Sequence, residues 1–418
     1  MIRSRQFIVK TFLLCATLMG FASCSMMEED YSQCAEPGLY VNFTYDYNTQ
    51  RADMFKDHVG AVTLYIYDEL GHKVTERTVS NTSTEQPLSQ YGYRMHFDES
   101  ELPAGKYRLQ AIAMQKDWDE ALATPGAKYR RTPVTDTTSL VIKLDRAEAV
   151  VPGTEQHAVS NAAPLDTLWH TLKVMSDAPR NSLVQGYIGM DGVSDTFTPK
   201  KTTAPYSIYP IADQLVTVEH GMVTYATVSL IRDTKHLNIS MRHIDNPHLM
   251  DAANYEVYIV DNNGTLASNN TLINDLSHTD SLRYTPYAAW TTEFTKDGVR
   301  VLDPAHMEIT TDDPDMQRAA HYDLMFNRIM YQKNVGENAQ LFIVNRDSGK
   351  MVAHLNLPYI LSEARKAYDI YKYSQQEYLD REYEYRLDFL LKGDTWAYVT
   401  VTIDALSWAT RVQIEDLH

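Results

Sequence analysis

Apolar and polar residues alternate with a period of two in many short segments of this chain, and no other feature constrains its fold as strongly. The pattern is clear at 39–45, 61–67, 106–113 and 225–232. Such alternation is typical of half-buried β-strands, whose successive side chains point to opposite faces. Many short strands separated by turns are typical of β-sandwiches. The sequence therefore predicts an all-β protein.

Turn residues separate the alternating segments. A glycine-containing turn at 68–71 lies between strands at 61–67 and 73–79, which predicts a β-hairpin. Asn263 and Gly264 follow a later strand, and Asn-Gly is the pair favoured in type I′ turns. A type I′ turn is therefore predicted there.

The same pattern predicts the remaining strands. They lie at 139–144, 168–176, 183–190, 236–241, 255–260, 306–310, 322–332, 339–345, 352–355, 385–391 and 396–403. Residues 361–373 instead have helical spacing and good helix formers. The polar, proline-containing stretch at 196–210 is the expected linker. We therefore expect two β-sandwich domains in tandem, at 38–210 and 211–418.

The first residues carry the features of a secretory signal. Arg3, Arg5 and Lys10 precede an apolar run at 11–22. A positively charged start followed by a short apolar run is typical of a signal peptide. The run is too short to span a bilayer, which takes about 20 apolar residues. We therefore expect residues 1–23 to be removed on export.

The apolar run ends in a sequence that resembles a bacterial lipobox, Phe21-Ala22-Ser23-Cys24. In such lipoproteins the cysteine becomes the first residue of the mature chain and carries the acyl groups. We therefore expect lipidation of Cys24 and a tether at 24–37. The alternatives are an ordinary secretory signal that happens to contain a cysteine, or an N-terminal helix of the core.

An acidic cluster follows the cysteine, at Glu28, Glu29 and Asp30. It resembles the surface-export signal of Bacteroidales lipoproteins. Acidic residues are also common in solvated, disordered tethers, and both interpretations can hold together. The expected location is the outer membrane, with the protein lipid-anchored and exposed at the cell surface.

The net charge argues against a nucleic-acid-binding protein, and the cysteine content argues against a protein stabilised by disulfides. The formal net charge is −17, and no basic run offsets it, so nucleic acid is not an expected partner. The chain has 3 cysteines, at 15, 24 and 34. Removal of the signal and lipidation of Cys24 would leave Cys34 alone, so no intramolecular disulfide is expected. Stability must then come from the packed core.

No enzyme motif is present, and we expect neither catalysis nor a cofactor. His236, His243 and His248 suggest a metal site, but Pro247 breaks any helix that could bring them together, and strand alternation separates the first two. We therefore interpret them as ordinary strand and loop histidines. The charged run at 377–382 could be taken for a catalytic carboxylate pair; we interpret it as a polar, tyrosine-rich approach to a strand.

Two further patterns allow more than one interpretation. The acidic stretch at 312–315 could offer oxygen ligands to Ca²⁺, but it lacks the spacing and the glycine of a calcium loop, so an acidic surface loop is expected. The short sequences at 136–138, 166–168 and 280–282 resemble the O-glycosylation sequon of exported Bacteroidales proteins. A three-residue pattern also arises by chance.

Several segments resemble, in order, the FimB-like family of fimbrial anchor lipoproteins. The segments are Val62–Gly71 (VTLYIYDELG), Leu102–Tyr107 (LPAGKY), Ser229–Leu237 (SLIRDTKHL), Val260–Gly264 (VDNNG), Tyr284–Tyr287 (YTPY) and Gln376–Glu382 (QEYLDRE). Ile112 departs from the family pattern, in which a tryptophan is expected.

This resemblance implies a subunit of a type V pilus. The implied fold is two transthyretin-like β-sandwiches behind a lipidated tether. The implied function is to anchor the base of a fimbrium in the outer membrane and limit its length, with pilin subunits as partners joined by β-strand exchange. The candidate segments for exchange are 396–403 and 407–414. The alternative is that both are ordinary intramolecular strands, and for any single strand this interpretation is favoured.

A surface glycan-binding lipoprotein of a polysaccharide-uptake system is the alternative function. The secretion signal and the content of 28 tyrosines fit this function equally well. It predicts a planar cluster of exposed Tyr and Trp side chains. The sequence also leaves open whether the protein binds a host ligand.

Overall fold

The structure is a computed structural model that describes residues 35–181, 215–273, 281–296, 298–302, 315–366, 373–393, 395–403 and 408–413. The prediction of an all-β sandwich protein is confirmed. The described strands up to residue 232 are β1 Gly38–Thr44, β2 Ala61–Tyr67, β3 Lys73–Ser80, β4 Met95–Phe97, β5 Gly105–Met114, β6 Tyr129–Arg131, β7 Val141–Leu144, β8 His157–Ala158, β9 Leu168–Ser176, β10 Arg180–Asn181, β11 Val216–Val218 and β12 Met222–Arg232.

The later strands and the helices complete the described elements. The strands are β13 Lys235–His243, β14 Tyr255–Asp261, β15 Thr265–Ala267, β16 Leu282–Tyr284, β17 Ala288–Thr295, β18 Gly298–Leu302, β19 Gln317–Phe326, β20 Gln340–Asn345, β21 Met351–Asn356, β22 Glu384–Lys392, β23 Thr395–Ile403 and β24 Trp408–Gln413. The α-helices are α1 Phe55–His58, α2 Trp118–Ala123, α3 Leu357–Ser362 and α4 Gln375–Arg381.

A nine-stranded sheet forms the first layer. Its main order is β3-β2-β5-β9-β12-β1-β4, and β10 and β11 pair with β12 and β5. The β2–β3 hairpin predicted from the turn at 68–71 is present. Arg77 on β3 donates to the carbonyl of His96 on β4 and lies 4.1 Å over the ring of Phe97. The two ends of the main sheet order therefore come together.

The second half is a sandwich of two sheets with a third beside it. A seven-stranded sheet has the order β18-β17-β19-β13-β22-β23-β24, and a five-stranded sheet has the order β21-β20-β14-β16-β8. A three-stranded sheet has the order β15-β7-β6. Strands β6, β7 and β8 precede residue 210 in the chain, so the first half contributes strands to sheets of the second half.

Strand β2 shows why the nine-stranded sheet is central. All seven of its residues are buried. Leu64 and its alternate neighbours face a core shared with β1 and β5, whereas Tyr65 and Tyr67 face the larger core shared with the second half. A strand buried on both faces loses the polar positions that mark a surface strand.

The chain passes from the first sheet to the second sandwich later than at the linker expected at 196–210. Strand β12 starts after residue 210, yet it lies in the first sheet between β9 and β1. Its pairing with β1 is parallel and covers seven residue pairs. The next strand, β13, lies in the second sandwich, so the change from one sheet to the other falls at Asp233 and Thr234. The expected domain boundary at 210 stays a prediction.

The structure corrects two predicted elements. The helix predicted at 361–373 begins instead at Leu357, because the Asn356 side chain accepts a hydrogen bond from the Tyr359 N–H and Pro358 suits a first helical turn. The strand predicted at 322–332 is β19, which starts earlier and ends at Phe326.

The type I′ turn predicted at Asn263-Gly264 is also wrong, because neither residue has the positive φ that such a turn requires. Strand β14 pairs with β16 and β20, and not with the strand that follows the turn. The Asn263 side chain is fully buried and donates to the carbonyls of Asn327 and Arg328 at 2.9 and 3.1 Å. The asparagine therefore satisfies buried backbone acceptors.

Several predictions fall outside the described residues. These are the signal peptide, the tether up to residue 34 with Cys24, the strands at 183–190 and 306–310, the linker at 196–210 and the Ca²⁺ candidate at 312–314.

Replacement of Leu64 by Ala tests the central position of β2. Leu64 is 0% exposed, so the substitution leaves a cavity, and we expect a loss of roughly 2–5 kcal/mol in the free energy of unfolding. Leu70 is 82% exposed, and Leu70→Ala is the control, with a change within about 0.5 kcal/mol. Urea denaturation followed by tryptophan fluorescence measures both. Equal effects would show that β2 is not a central packing strand.

Candidate functional site

The chain passes from the first sheet to the second sandwich through a buried, charged connection. It runs from Arg232, at the end of β12, through Asp233 and Thr234 to Lys235, at the start of β13, and all four residues are buried. Buried charges are costly unless they are paired and hydrogen-bonded. We call this segment with its partners the junction.

Asp233 joins strands from both halves of the chain. Its carboxylate lies 2.6 Å from Nδ1 of His170 on β9, and both side chains are 0% exposed. Its other carboxylate oxygen accepts from Nδ2 of Asn270 at 2.8 Å. Asn270 has a positive φ of 62°, a conformation that asparagine tolerates better than most residues. The carboxylate therefore has a partner on each side.

Lys235 binds the end of helix α4. Its Nζ donates to the carbonyls of Asp380 and Glu382 at 2.9 and 2.8 Å. The side chain is 0% exposed. Burial lowers the pKa of Lys235 to about 7, although the nearby carboxylates of Asp380 and Asp233 act in the opposite direction. The amine closes the C-terminal end of a helix, where carbonyls lack intrahelical donors.

A fully buried ion pair lies beside Lys235. Nε of Arg328 is 2.7 Å from Oδ1 of Asp380, and both side chains are 0% exposed. Nη1 of Arg328 also donates to the carbonyl of Asn270 at 2.8 Å. Arg328 thus connects α4 to the loop that holds Asp233.

Glu382 receives a loop from the first half of the chain. Its carboxylate accepts from the Thr49 hydroxyl at 2.9 Å and from the backbone N–H groups of Tyr383 and Glu384. Burial raises the pKa of Glu382, whereas these hydrogen bonds favour the ionised form. Thr49 lies in the loop after β1, so the loop is fixed to the second half.

Aromatic rings surround two arginines of the same region. The guanidinium of Arg232 lies 4.2 Å from the ring centre of Tyr383 and 5.9 Å from that of Trp169. Arg381 lies 4.0 Å from the ring centre of Tyr47, in the loop after β1. Cations over aromatic faces are stabilised by the ring quadrupole, more strongly where water is excluded.

The junction holds two halves together and offers no reacting group to a substrate. Its ionisable side chains are buried and face protein partners. In the ranges that the structure describes, no three His, Cys, Asp or Glu side chains lie close enough to hold a metal ion. The carboxylates of the run at 377–382 belong in part to this junction. The run leads into β22, which starts at Glu384, and residues 375–381 of this approach form α4.

The three candidate histidines lie in different surroundings. His236 Nδ1 is 2.6 Å from Glu384, and its Nε2 lies 3.2 Å from the Tyr287 hydroxyl. His243 Nε2 lies 2.9 Å from the hydroxyl of Tyr255. His248 is an exposed loop residue. The structure therefore does not bring them together.

The sequon-like sequences differ in accessibility. The second residue of the segment at 136–138, Thr137, is half-buried, whereas the corresponding Thr167 is 4% exposed, and its hydroxyl lies 3.3 Å from Gln115. A glycan on Thr167 is incompatible with this packing.

Aromatic rings on the outer face of the five-stranded sheet stack on one another. The ring centres of Tyr258 and Phe342 are 4.9 Å apart, and those of Phe342 and His354 are 4.4 Å apart. Arg283 covers the Tyr258 ring at 3.5 Å. The ring faces are used within the protein, so this row does not form the open platform that glycan binding predicts.

The two segments proposed for strand exchange are paired within the chain. Strand β23 covers the first and pairs with β22 on one side and β24 on the other. Strand β24 covers most of the second and is the last strand in the order of the seven-stranded sheet. Within the described residues no helix is long and apolar enough to cross a membrane.

Comparison with known proteins places the chain in a family. It matches the model of the fimbrillin-A associated anchor proteins Mfa1 and Mfa2 over residues 31–183 and 196–413. The chain therefore belongs to this family of fimbrial proteins. The family is one of structural proteins, and not of enzymes. Membership supports a role as a fimbrial subunit that associates with other fimbrial subunits at the cell surface.

Solved structures share the fold. A proposed polysaccharide-binding protein from Bacteroides thetaiotaomicron is 23% identical, with a TM-score of 0.59 over 91% of this chain and 100% of that chain. A proposed adhesin from the same species is 21% identical, with a TM-score of 0.61 over the same shares of 91% and 100%. A proposed adhesin from Bacteroides ovatus is 18% identical, with a TM-score of 0.57 over 90% and 96%. Among curated proteins, none matches the chain.

Replacement of Asp380 by Asn tests the buried ion pair. The change keeps the size of the side chain but leaves Arg328 without its charge partner, and we expect a loss of about 3–5 kcal/mol in the free energy of unfolding. Asp145→Asn is the control, because Asp145 pairs with Arg130 at the surface, where a loss within about 1 kcal/mol is expected. Chemical denaturation measures both, and equal losses would contradict the importance of the junction.

His236 predicts a pH dependence of stability. Burial opposes its protonation, but hydrogen bonds and charge from Asp323 and Glu384 outweigh burial and raise the pKa of His236 from 6.5 to about 9. The folded state therefore binds this proton more tightly than the unfolded chain. The resulting stabilisation, of up to about 3 kcal/mol, is complete below pH 6.5 and is lost as the pH rises to about 9.

The difference in unfolding free energy between the wild type and His236→Gln isolates this contribution from other titrating groups. We expect that difference to shrink between pH 6.5 and 9. His248→Gln, at an exposed loop residue, is the matched control. Denaturation at a series of pH values measures it. A difference that is constant with pH would show that His236 is not held protonated.

Proposed function

We propose that this protein is a lipid-anchored outer-membrane subunit at the base of a fimbrium, which attaches the pilus and limits its length. The family match over 31–183 and 196–413 carries this proposal. The signal-like N-terminus supports it, because a charged start, a short apolar run and Cys24 together suit lipidation after export. Several acyl chains on one cysteine bind a membrane stably, whereas a single chain binds weakly.

The position of the tether suits an anchor. The described chain starts at Ala35, and β1 begins three residues later, inside the nine-stranded sheet. The loop after β1 reaches the junction through Thr49. A lipid on Cys24 would therefore connect, through a short tether, to a strand whose surroundings extend into both halves of the molecule.

We propose that pilin subunits join this protein by β-strand exchange. An edge strand gains a ladder of backbone hydrogen bonds when a partner adds a strand. Of the two C-terminal candidates, β24 suits exchange better. It pairs with β23 alone among the described strands, whereas β23 pairs on both sides. Release of β24 would disturb fewer hydrogen bonds.

The expected phenotype of a strain without this protein is long or shed fimbriae. Electron microscopy of the cells, with quantification of pilin in the culture medium, measures both properties. Complementation with the wild-type gene should restore attached fimbriae of normal length. Unchanged fimbriae in the mutant would contradict the proposed anchor function.

Cys24→Ser tests the lipid anchor separately. The variant cannot carry the acyl groups, so we expect it to leave the outer-membrane fraction and fimbriae to be shed as in the deletion strain. Cys34→Ser is the matched control and should stay in the membrane fraction. Membrane retention of the Cys24 variant would show that the lipid is not the attachment.

A further inference from the structure

The segment between β1 and β2 crosses from the first half of the chain onto the second. We call residues 46–58, which include α1, the strap. Two of its side chains contact the end of α4 in the junction. Nε of Arg51 also donates to the Tyr373 hydroxyl at 3.2 Å, and the Tyr383 hydroxyl lies 3.8 Å from Sδ of Met54. The strap therefore binds the second half through a series of side-chain contacts.

Hydrogen bonds within the first half of the chain hold the strap in its own shape. The Asn48 side chain donates to the carbonyls of Tyr45 and Ala52 at 2.9 and 2.7 Å. The Asp53 carboxylate accepts from the N–H groups of Tyr45 and Phe55 at 2.8 and 3.1 Å. None of these bonds uses a group of the second half. The strap can therefore leave the second half as a unit and keep these bonds.

The last residue of the strap, His58, packs against two tyrosine rings. Its ring centre lies 6.1 Å from that of Tyr383, at an interplanar angle of 74°, and 6.3 Å from that of Tyr45, at 67°. The guanidinium of Arg232 lies 4.2 Å from the centre of the same Tyr383 ring. A neutral imidazole suits this position, whereas a protonated one would bring a second cation close to Arg232.

The charges around His58 oppose its protonation. Burial and the charge of Arg232 lower its pKa from 6.5, and they outweigh the carboxylates of Asp57 and Glu384, which act in the opposite direction. The two tyrosines that touch it are neutral, because burial raises the pKa of both. The docked strap therefore binds this proton less tightly than a solvated histidine does. Docking loses stability as the pH falls below 6.5.

We propose that the strap is an acid-sensitive contact between the two halves of the molecule, docked when His58 is neutral and released when His58 is protonated. Release moves the charged imidazole away from Arg232 and into water. It also separates Thr49 from Glu382 and removes His58 from Tyr383. The end of α4 then loses its contacts with the first half, while the hydrogen bonds within the strap remain.

Two neighbouring groups respond to pH in other ways. Burial raises the pKa of Glu382, so acid favours the docked strap through that carboxyl group. His236 has a pKa of about 9 and stays protonated in neutral and acidic solution. Both contributions are the same in the wild type and in a variant of His58. A comparison of the two proteins therefore isolates the effect of His58.

Amide hydrogen exchange of the full-length protein tests the proposal, with rates corrected for the intrinsic pH dependence of exchange. The strap contains amides with backbone acceptors, among them those of Met54, Asp57 and His58. We expect their protection in the wild type to fall roughly three- to tenfold between about pH 7.5 and about pH 5. His58→Phe keeps an aromatic ring but cannot be protonated, so its strap protection should stay constant.

His248→Phe, at an exposed loop residue, is the matched control and should lose strap protection in acid as the wild type does. Constant protection in the wild type, or an equal loss in His58→Phe, would overturn the proposal. Neither result depends on a fimbrial partner, so the proposed anchor function is tested separately.

A histidine titration followed by NMR gives a second test, on the wild type alone. The imidazole signal of His58 can be assigned through its contacts with the Tyr45 and Tyr383 rings. We expect its titration midpoint to lie below 6.5, and the contacts with both rings to weaken as the signal titrates. A midpoint at or above 6.5, or ring contacts that persist in the protonated state, would show that acid does not release the strap.

Discussion

The buried charges between β12 and β13 are the constraint on which the rest of the structure depends. A connection of two residues, Asp233 and Thr234, leaves the adjacent strands little freedom, and each charge in it must find a partner because water is excluded. The partners come from β9, from the Asn270 loop and from α4. Removal of one partner would leave an uncompensated charge, which costs far more than the net stabilisation that the pair provides. The junction therefore fixes how the two sandwiches are joined, more than it adds net stability.

Local patterns in the sequence predict the strands well and their neighbours poorly. The bounds predicted for β9, 168–176, agree with the structure, because alternation there is a property of adjacent residues. The parallel pairing of β1 with β12 joins residues that are far apart in the sequence, and nothing in either segment encodes it. The position of β12 in the first sheet follows from that pairing. A boundary drawn from proline and polar content does not detect it.

The sequence singles out segments that contain residues of the junction, but it does not predict that these residues are buried and paired. The segments Ser229–Leu237 and Gln376–Glu382 mark the family resemblance, and the structure brings Lys235 and Asp380 from them together. A run as charged as 377–382 is normally a solvated surface. It is partly buried here because Arg328 and Lys235 approach it from elsewhere in the fold. Asn263 shows the same limit: a favoured turn residue serves instead as a buried donor.

The parallel pairing of β1 and β12 has a mechanical consequence. In the proposed anchor, a pull on the fimbrium would be transmitted between the tether, at the N-terminal end of β1, and β13, which follows the C-terminal end of β12. Because the strands run in the same direction, these two points lie at opposite ends of the pair. Tension would therefore shear all seven residue pairs at once, and would not open them one after another. A shear geometry resists extension much better than a zipper geometry, which would suit the proposed anchor.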